Sequence, residues 1–302
     1  IKILVRAMTP QIFREKVDAE WEHLQDGPGA LTDEEILRVK NSFVPPTYTD
    51  LNNEESLLGT QRLKNRHFNA WVENNVDAHK QKGYAIVTLS TKTAGVPPGD
   101  VTDIQMDAVA DWSDKYGYGE IRISHEQNFV LPDVRQSDLL ELFVAAEKQA
   151  LGAANVGLLT DVVCCPGGDY CSLANAKSIP VAEEIQRQFD DYDYLHDLGP
   201  LDLNISGCMN ACGHHHVGHI GILGVDKKGA EFYQISLGGH AGNNASLGEI
   251  IGPSFSRADV TGSIVKILDV YIQSRVQDET FLDCYRRIGM QRFKERVYAN
   301  AG

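Results

Sequence analysis

Four cysteines in two glycine-rich segments are the residues of this sequence whose type and spacing could do chemistry. Five residues separate Cys165 from Cys171, and three separate Cys208 from Cys212. Thiolates contributed by two loops can surround one metal centre, and such centres hold zinc or an iron–sulfur cluster. The two pairs therefore predict a metal centre in the second half of the chain.

The width of the spacing bears on which metal is bound. Structural zinc sites favour cysteines separated by about two to four residues, and the first pair here is wider. A cubane cluster is a larger body, so wide and unequal spacings suit it. Gly167, Gly168, Gly207 and Gly213 lie beside the cysteines and would let the backbone approach a bulky cofactor. The spacing favours a cluster, and it leaves open a zinc-stapled binding module or a set of inert buried cysteines.

The other two cysteines and a group of histidines are further candidates for ligands of this centre. Cys164 is expected to face away from the metal if Cys165 points toward it. Cys284 is expected to lie on a helix, with its side chain in the hydrophobic core. The run 214–216 and His219 invite a metal interpretation, but neighbours in a run cannot all face one ion. We therefore expect polar packing or hydrogen bonding to a cofactor. A helix beginning at Ser172 is predicted, and its N-terminus would favour thiolate charge nearby.

Charge and composition narrow the class of protein. The chain has 302 residues, 28 Lys and Arg against 42 Asp and Glu, and a formal charge of −14. This acidic balance argues against nucleic acid and against a basic membrane-binding surface as partners. No apolar run approaches the ~18 residues of a membrane helix. Without a secretory signal pattern, clustered cysteines indicate a cytoplasmic protein with metal or redox chemistry.

Three regions with different patterns must position the cysteines. Residues 1–60 are expected to form lead-in or linker helices, with Thr9 and Thr32 as caps. The first residues, Ile1–Arg6, have the pattern of a strand and lack an initiator Met, so a processed or fragmentary chain is expected. Residues 61–155 predict the order strand, helix, strand, strand, helix, which is typical of an α+β fold.

Residues 156–302 carry the cysteines. A strand over 201–205 is predicted to lead into Cys208. Two further strands are predicted to form a hairpin around residues 226–229. Two helices, over 258–275 and 279–298, are predicted to close the chain.

At these residues the sequence resembles the sulfite and nitrite reductase family. The two cysteine pairs resemble its siroheme and 4Fe-4S binding pattern, and residues 204–216 (NISGCMNACGHHH) are similar to its second cysteine loop. Met209 replaces the Pro that is common there. Residues 122–128 (RISHEQN) are similar to the strand motif of its ferredoxin-like repeat, with Ser in place of Thr. The resemblance runs from about Asn69 to the C-terminus and is strongest to the proteobacterial assimilatory branch.

The resemblance implies a fold and a set of site residues. The fold class would be α+β, a ferredoxin-like repeat (61–155) followed by a siroheme and 4Fe-4S domain (156–302), part of a pseudo-two-fold sulfite reductase fold. The cluster ligands would be Cys165, Cys171, Cys208 and Cys212. Cys212 would also bridge to the siroheme iron, which makes it the catalytic residue. Further cofactor contacts are expected from Ala174, Ser206, Asn210 and Gln127.

The resemblance also implies a reaction and its partners. The reaction would be the six-electron reduction of sulfite to sulfide in assimilatory sulfur metabolism, with reduction of nitrite to ammonia as the alternative. The electron donor would be ferredoxin or a flavoprotein subunit. The N-terminal half of the same protein would supply the substrate-binding Arg and Lys residues. Because siroheme is a polycarboxylate that needs cationic partners, we expect this chain alone to bind it poorly. A cofactor-free interaction fragment remains a third interpretation.

Overall fold

The computed structural model describes residues 1–299, which fall into two compact units divided after Thr49. The first unit contains three helices: α1 (Lys2–Met8), α2 (Pro10–Leu24) and α3 (Asp33–Asn41). The Thr9 hydroxyl accepts from the N–H of Ile12 at the start of α2. The Thr32 hydroxyl accepts from the N–H of Glu35 at the start of α3. Both predicted helix starts are therefore confirmed.

The strand predicted at the start of the chain is wrong, because this segment forms α1. A strand needs a hydrogen-bonding neighbour, and the described elements of the first unit are all helical. Neither α2 nor α3 buries a residue. Large apolar side chains such as Trp21 and Phe43 are exposed in this unit.

The second unit opens with an antiparallel sheet and its helices. The elements are α4 (Glu55–Lys64), α5 (Arg66–Asn75), β1 (Val76–Ala78), β2 (Tyr84–Leu89), α6 (Asp103–Tyr116), β3 (Arg122–Ile123), β4 (Phe129–Arg135) and α7 (Leu139–Lys148). The strands pair in the order β1-β2-β4-β3, and each pairing is antiparallel. Helices α5 and α7 pack through Trp71 and Phe143, whose ring centroids lie 5.3 Å apart. The predicted α+β class is confirmed.

Two details of this region differ from the prediction. Strand β1 was not predicted. It has only three residues, too few for an alternating pattern to be visible in the sequence. The second strand of the predicted order forms only as the two residues of β3, while the third forms the seven residues of β4. The six-residue run of β2 and the helix α6 are confirmed.

A second, mixed sheet carries the cysteines. The elements are β5 (Val163–Cys164), α8 (Gly167–Tyr170), α9 (Ile179–Gln188), α10 (Tyr192–Leu198), β6 (Leu203–Ser206), β7 (Ile220–Lys227), β8 (Ala230–Leu237), β9 (Glu249–Ile250), β10 (Phe255–Ser256), α11 (Val260–Ser274), α12 (Phe281–Ile288) and α13 (Met290–Tyr298). The order is β10-β8-β7-β6-β5, with β9 on β8. Strands β5, β6 and β7 are parallel, and the other pairings are antiparallel. Helices α9, α11, α12 and α13 share one buried apolar core with this sheet.

The predicted strand before Cys208 and the predicted hairpin are confirmed as β6 and β7–β8. Lys228 and Gly229 both have positive φ, 58° and 82°. That backbone shape suits the two-residue turn of a tight hairpin. The helix predicted over 258–275 is confirmed as α11.

Two helix predictions are wrong. The chain does not form a helix at Ser172, because the N–H groups of Asn175 and Ala176 bond to the carbonyl of Gly207 instead. The last predicted helix is two helices, α12 and α13, divided at Gly289, where φ is 75°. Among the described residues, the helices are too short or too polar to cross a bilayer. The division of the chain at residues 60 and 155 stays a prediction.

Candidate functional site

The two cysteine loops begin side by side at one edge of the mixed sheet. Cys165 follows β5 directly, and Cys208 follows β6 after one intervening glycine. In the parallel pairing of these strands, Cys164 lies opposite Ile205. Because the carboxyl ends of parallel strands meet at the same sheet edge, the fold brings the two pairs together there.

Main-chain hydrogen bonds join the two loops. The N–H of Cys165 donates to the carbonyl of Ile205 at 3.1 Å. The N–H of Gly207 donates to Sγ of Cys165 at 3.1 Å. The carbonyl of Gly207 accepts from Asn175 and Ala176 at 2.8 and 3.1 Å. The first loop is therefore fastened to the second on both sides of Cys165.

The short helix α8 sets the position of Cys171. The N–H of Cys171 donates to the carbonyl of Gly167 at 2.9 Å. Gly167 has a positive φ of 57°, and a Cβ there would lie 2.4 Å from the nitrogen of Ser178. Only glycine fits this corner, so the sequence Pro-Gly-Gly has a steric explanation.

The second loop is equally constrained. Ala211 and His214 both have positive φ, 59° and 53°. A Cβ at Gly213 would lie 2.0 Å from the carbonyl oxygen of Ile205. The N–H of Gly213 donates to the hydroxyl of the buried Ser206 at 3.1 Å. Non-glycine residues held in the left-handed region are strained, and such strain collects at functional sites.

Exposure divides the four cysteines into two kinds. Cys165 and Cys208 are 9% and 8% exposed. Cys171 is half-buried, and Cys212 is exposed. Met209 and Leu173 present exposed apolar side chains on the same loops. The four thiols therefore fall into an inner, buried pair (Cys165 and Cys208) and an outer, more exposed pair (Cys171 and Cys212).

The donor set of the four cysteines fits an iron–sulfur cluster. Four thiolates are the ligand set of a 4Fe-4S cluster. The N–H of Gly207 donates to Sγ of Cys165 at 3.1 Å, and hydrogen bonds of this kind to sulfur tune such clusters. Among the described residues, another group of candidate ligands is Asp202, His219 and His240, whose ligand atoms lie within 4.8 Å of one another.

The Asp202 group does not offer three free ligand atoms. Nδ1 of His219 accepts from the N–H of Asp202 at 3.1 Å. A neutral ring that accepts at Nδ1 carries its proton on Nε2, so Nε2 has no lone pair for a metal. Burial lowers the pKa of His219 and favours this neutral form. The geometry favours polar packing for this histidine.

The remaining predicted contact residues lie at different distances from the cysteines. Ser206 bonds the second loop, and the N–H of Ala174 donates to the carbonyl of Cys171 at 3.1 Å. Asn210 is exposed between the second pair. The amide of Gln127 bonds the main chain of Cys164. Their roles toward a cofactor stay predictions.

The two other cysteines of this domain differ from the four. Cys164 is buried, and its thiol donates to the carbonyl of Cys165 at 3.2 Å. Burial and then the neighbouring Cys165 raise the pKa of the Cys164 thiol above its usual range, so it is a protonated thiol. Cys284 is fully buried on α12, as predicted.

Two residues at this site were not predicted from the sequence. The fully buried Ser178 places its hydroxyl 3.5 Å from Sγ of Cys165. Lys92, also buried, pairs with Asp161 at 3.2 Å. Both contacts join distant segments, and a residue pattern carries no signal for them.

Lysine and arginine are scarce in the segment that carries the cysteine loops. Between residues 160 and 220 the sequence contains two of them, Lys177 and Arg187. Lys177 pairs with Asp169 at 3.1 Å, and this bond raises the pKa of the lysine. Arg187 faces Glu183 at 3.7 Å. Neither is an unpaired cation for an anionic ligand.

Two family models match the chain. The nitrite/sulfite reductase ferredoxin-like half domain matches residues 79–149, and the nitrite and sulphite reductase 4Fe-4S domain matches residues 157–302. The chain is 30% identical over 203 residues to a chloroplastic ferredoxin–nitrite reductase of Betula pendula, covering 64% of this chain and 33% of that protein. It is 27% identical over 199 residues to a sulfite reductase (ferredoxin) of Mycobacterium tuberculosis, covering 62% and 36%.

Solved structures show the same fold. The NirA protein of Mycobacterium tuberculosis superimposes with a TM-score of 0.60 at 23% identity, over 73% of this chain and 41% of that one. A dissimilatory sulfite reductase I, DsrI, superimposes with a TM-score of 0.59 at 14% identity, over 93% and 90%. This chain spans about a third of the length of the curated relatives it matches.

Proposed function

This chain belongs to the nitrite and sulfite reductase family, and we propose that it is the cluster-bearing part of a reductase that uses siroheme and a 4Fe-4S cluster. The observation that carries the proposal is the arrangement of the cysteines. Two pairs start at the carboxyl ends of adjacent parallel strands, in loops joined by main-chain hydrogen bonds. This arrangement supports the proposal that the four thiols face one shared space.

The four thiols would divide the work of holding the cluster. Cys165 and Cys208, which the sheet holds in place, would form its inner attachment. Cys171 and Cys212 would close the outer side. Cys212 is the exposed member, which supports its proposed second role as the bridging ligand to the siroheme iron. When bound, the two groups supply a path for single electrons to an anion on the iron.

Sulfite is the substrate that we propose to test first, because the sequence pattern resembles most strongly the assimilatory sulfite-reducing branch. Nitrite is the second candidate, because relatives at 29–30% identity are named as nitrite reductases. Both are small oxyanions, and both need six electrons. The scarcity of unpaired cations between residues 160 and 220 supports the proposal that substrate-binding Arg and Lys residues come from another part of the protein.

The proposed electron donor is ferredoxin, which the names of several relatives include, or a flavoprotein subunit. Cytoplasm is the proposed compartment, although several of these relatives are chloroplastic. In this proposal residues 61–155 form the ferredoxin-like repeat. Residues 156–302 form the cluster domain.

Steady-state kinetics on the full-length protein test the proposal. The protein is purified without oxygen, and the reduction of sulfite and of nitrite is followed with reduced methyl viologen as donor. We expect visible haem-type bands, acid-labile sulfide and a higher kcat/KM for sulfite. A higher kcat/KM for nitrite would assign the second candidate. A colourless protein with stoichiometric zinc and neither activity would contradict the proposal and favour a zinc-stapled module.

A variant pair ties the activity to the proposed bridge. Cys212→Ser should abolish turnover and change the haem spectrum. Cys284→Ser, which alters a buried thiol on α12, should leave the turnover and the haem spectrum unchanged. Equal activity in the two variants would remove Cys212 from the centre.

A further inference from the structure

The side chain of Gln127 bonds the main chain of Cys164 in both directions. Its Nε2 donates to the carbonyl of Cys164 at 3.0 Å. Its Oε1 accepts from the N–H of Cys164 at 3.1 Å. This pair of bonds reproduces the exchange between two residues of an antiparallel ladder, with a side-chain amide in place of a strand.

The location of these bonds gives them a consequence. Strand β5 has two residues and lies at the edge of the mixed sheet. On its inner side, the N–H of Cys165 bonds Ile205 of β6. On its open side, β5 has among the described residues no neighbouring strand to bond the N–H and carbonyl of Cys164, and the Gln127 side chain supplies both hydrogen bonds. A strand of only two residues has few main-chain bonds of its own, so this contact adds to the bonds that hold β5 in place.

Gln127 is itself held by the antiparallel sheet domain. Its backbone has a positive φ of 63°, a conformation that a non-glycine residue keeps only under constraint. The hydroxyl of Thr91 donates to its carbonyl at 2.6 Å. The buried ammonium of Lys92 donates to the carbonyl of Glu126 and to Oδ1 of Asn128, the latter at 2.8 Å. Both neighbours of Gln127 are thus anchored.

The same lysine also reaches the second sheet domain. Lys92 pairs with Asp161, two residues before β5, at 3.2 Å, and Asn128 donates to the same carboxylate at 3.0 Å. The segment that leads to the first cysteine loop is therefore fixed at two points, Asp161 and Cys164. Both points are held from one turn of the other domain.

We propose that Gln127 is a positioning residue for the centre: its amide holds Cys164 and thereby sets the place of the Cys165 thiol. The inference rests on the proposed function, because it deepens the role of one proposed cluster ligand. It assigns the ferredoxin-like region a task at the centre that requires no contact with the cofactor.

The first test needs no cofactor. In the cofactor-free chain, alkylation of each thiol is followed by mass spectrometry in the wild type and in Gln127→Met, which keeps the length but removes both bonds. We expect Cys165 to react at least about fivefold faster, as the loss of two hydrogen bonds implies, while the buried Cys284 reacts as before. Cys284 reports global opening, which would accelerate both thiols alike.

Two further variants sharpen the test. Gln127→Glu keeps the acceptor for the N–H of Cys164 and loses the donor, so it should give a smaller acceleration and also serves if the Met variant fails to fold. Gln291→Met alters an exposed amide of α13 whose bond is to Glu295, and it should leave Cys165 unchanged. An unchanged rate at Cys165 in both Gln127 variants, or equal acceleration of Cys165 and Cys284, would overturn the proposal.

The second readout is the cluster itself. In the reconstituted chain, Gln127→Met should shift the midpoint potential and broaden the EPR signal of the reduced cluster relative to Gln291→Met. Identical potentials and line shapes would contradict a positioning role. A wild type that takes up no cluster would overturn the proposed function instead, and the alkylation rates would still decide the role of Gln127.

Discussion

The inner and the outer cysteines of the centre are held by different means. Cys165 and Cys208 follow paired strands, and both are less than a tenth exposed. Cys171 and Cys212 lie further along their loops, where the chain is fixed by single turns and left-handed residues. The sheet therefore places two of the thiols, and the Gln127 side chain supports one of them. The other two depend on loop geometry.

This difference predicts different costs of substitution. Changes to an inner cysteine remove a group that is already packed, whereas changes to an outer one remove a group that gains partners only when a cofactor binds.

The largest effect is expected from loss of an inner ligand. Cys208→Ser should lower the iron content of the reconstituted chain by at least about tenfold, since even changes beyond the ligands of a metal cost 10–100-fold in affinity. Iron and acid-labile sulfide assays measure it. Cys164→Ser is the matched control, because its thiol is buried beside the centre but protonated, and full iron content is expected. Normal iron in Cys208→Ser would exclude it as a ligand.

The close approach of the second loop to β6 gives the next effect. Gly213→Ala would drive a methyl group against the carbonyl of Ile205, and we expect the free energy of unfolding to fall by about 1–3 kcal/mol. Urea denaturation of the cofactor-free chain measures it. Gly262→Ala on α11 is the control, because nothing lies within 4 Å of its Cβ position, and it should be stabilising by about 0.5–1 kcal/mol. Equal stability of the two variants would refute the steric argument.

The cysteines themselves allow a direct comparison. Cys165→Ala leaves the N–H of Gly207 without its sulfur acceptor, which should cost about 1–2 kcal/mol in the cofactor-free chain. Cys212→Ala alters an exposed side chain and should stay within about 0.5 kcal/mol of the wild type. Denaturation midpoints decide it. A larger loss for Cys212→Ala would reverse the assignment of inner and outer.

The smallest effect is expected at the opposite end of the parallel strands. His219 precedes β7, and its folded pKa is lowered chiefly by burial. Because the unfolded ring binds a proton near its usual pKa while the folded one resists it, stability should fall on acidification below about pH 6.5. His219→Phe should flatten this pH dependence of unfolding. His125→Phe, at an exposed site, should leave it intact, and equal slopes in all three proteins would contradict the account.

Local features of this molecule were predictable from the sequence, and contacts between distant segments were not. A helix start was predictable at Thr9 and Pro10, and a tight turn at Lys228 and Gly229, because these residues have the conformational preferences that each feature needs. The spacing of the cysteine pairs was likewise enough to predict a metal centre. The helix predicted from Ser172 does not form, because backbone N–H groups of this segment donate to the carbonyl of Gly207 on the other loop.

The contacts of the Gln127 side chain illustrate the limit for the site. The bonds to Cys164 join residues 37 apart in sequence. The composition of either segment gives no sign of the other. How the two sheets of the fold meet decides which side chains contact the cysteine loops, and that is visible only in the folded chain.

The most direct test of the central claim is the metal content of the four-cysteine centre. The chain is reconstituted with iron and sulfide without oxygen, and iron, acid-labile sulfide and zinc are measured per chain together with the EPR spectrum after reduction. We expect one 4Fe-4S cluster per chain, which is lost when Cys165 or Cys208 is replaced by Ser. Stoichiometric zinc without labile sulfide, or a cluster that survives both substitutions, would contradict it.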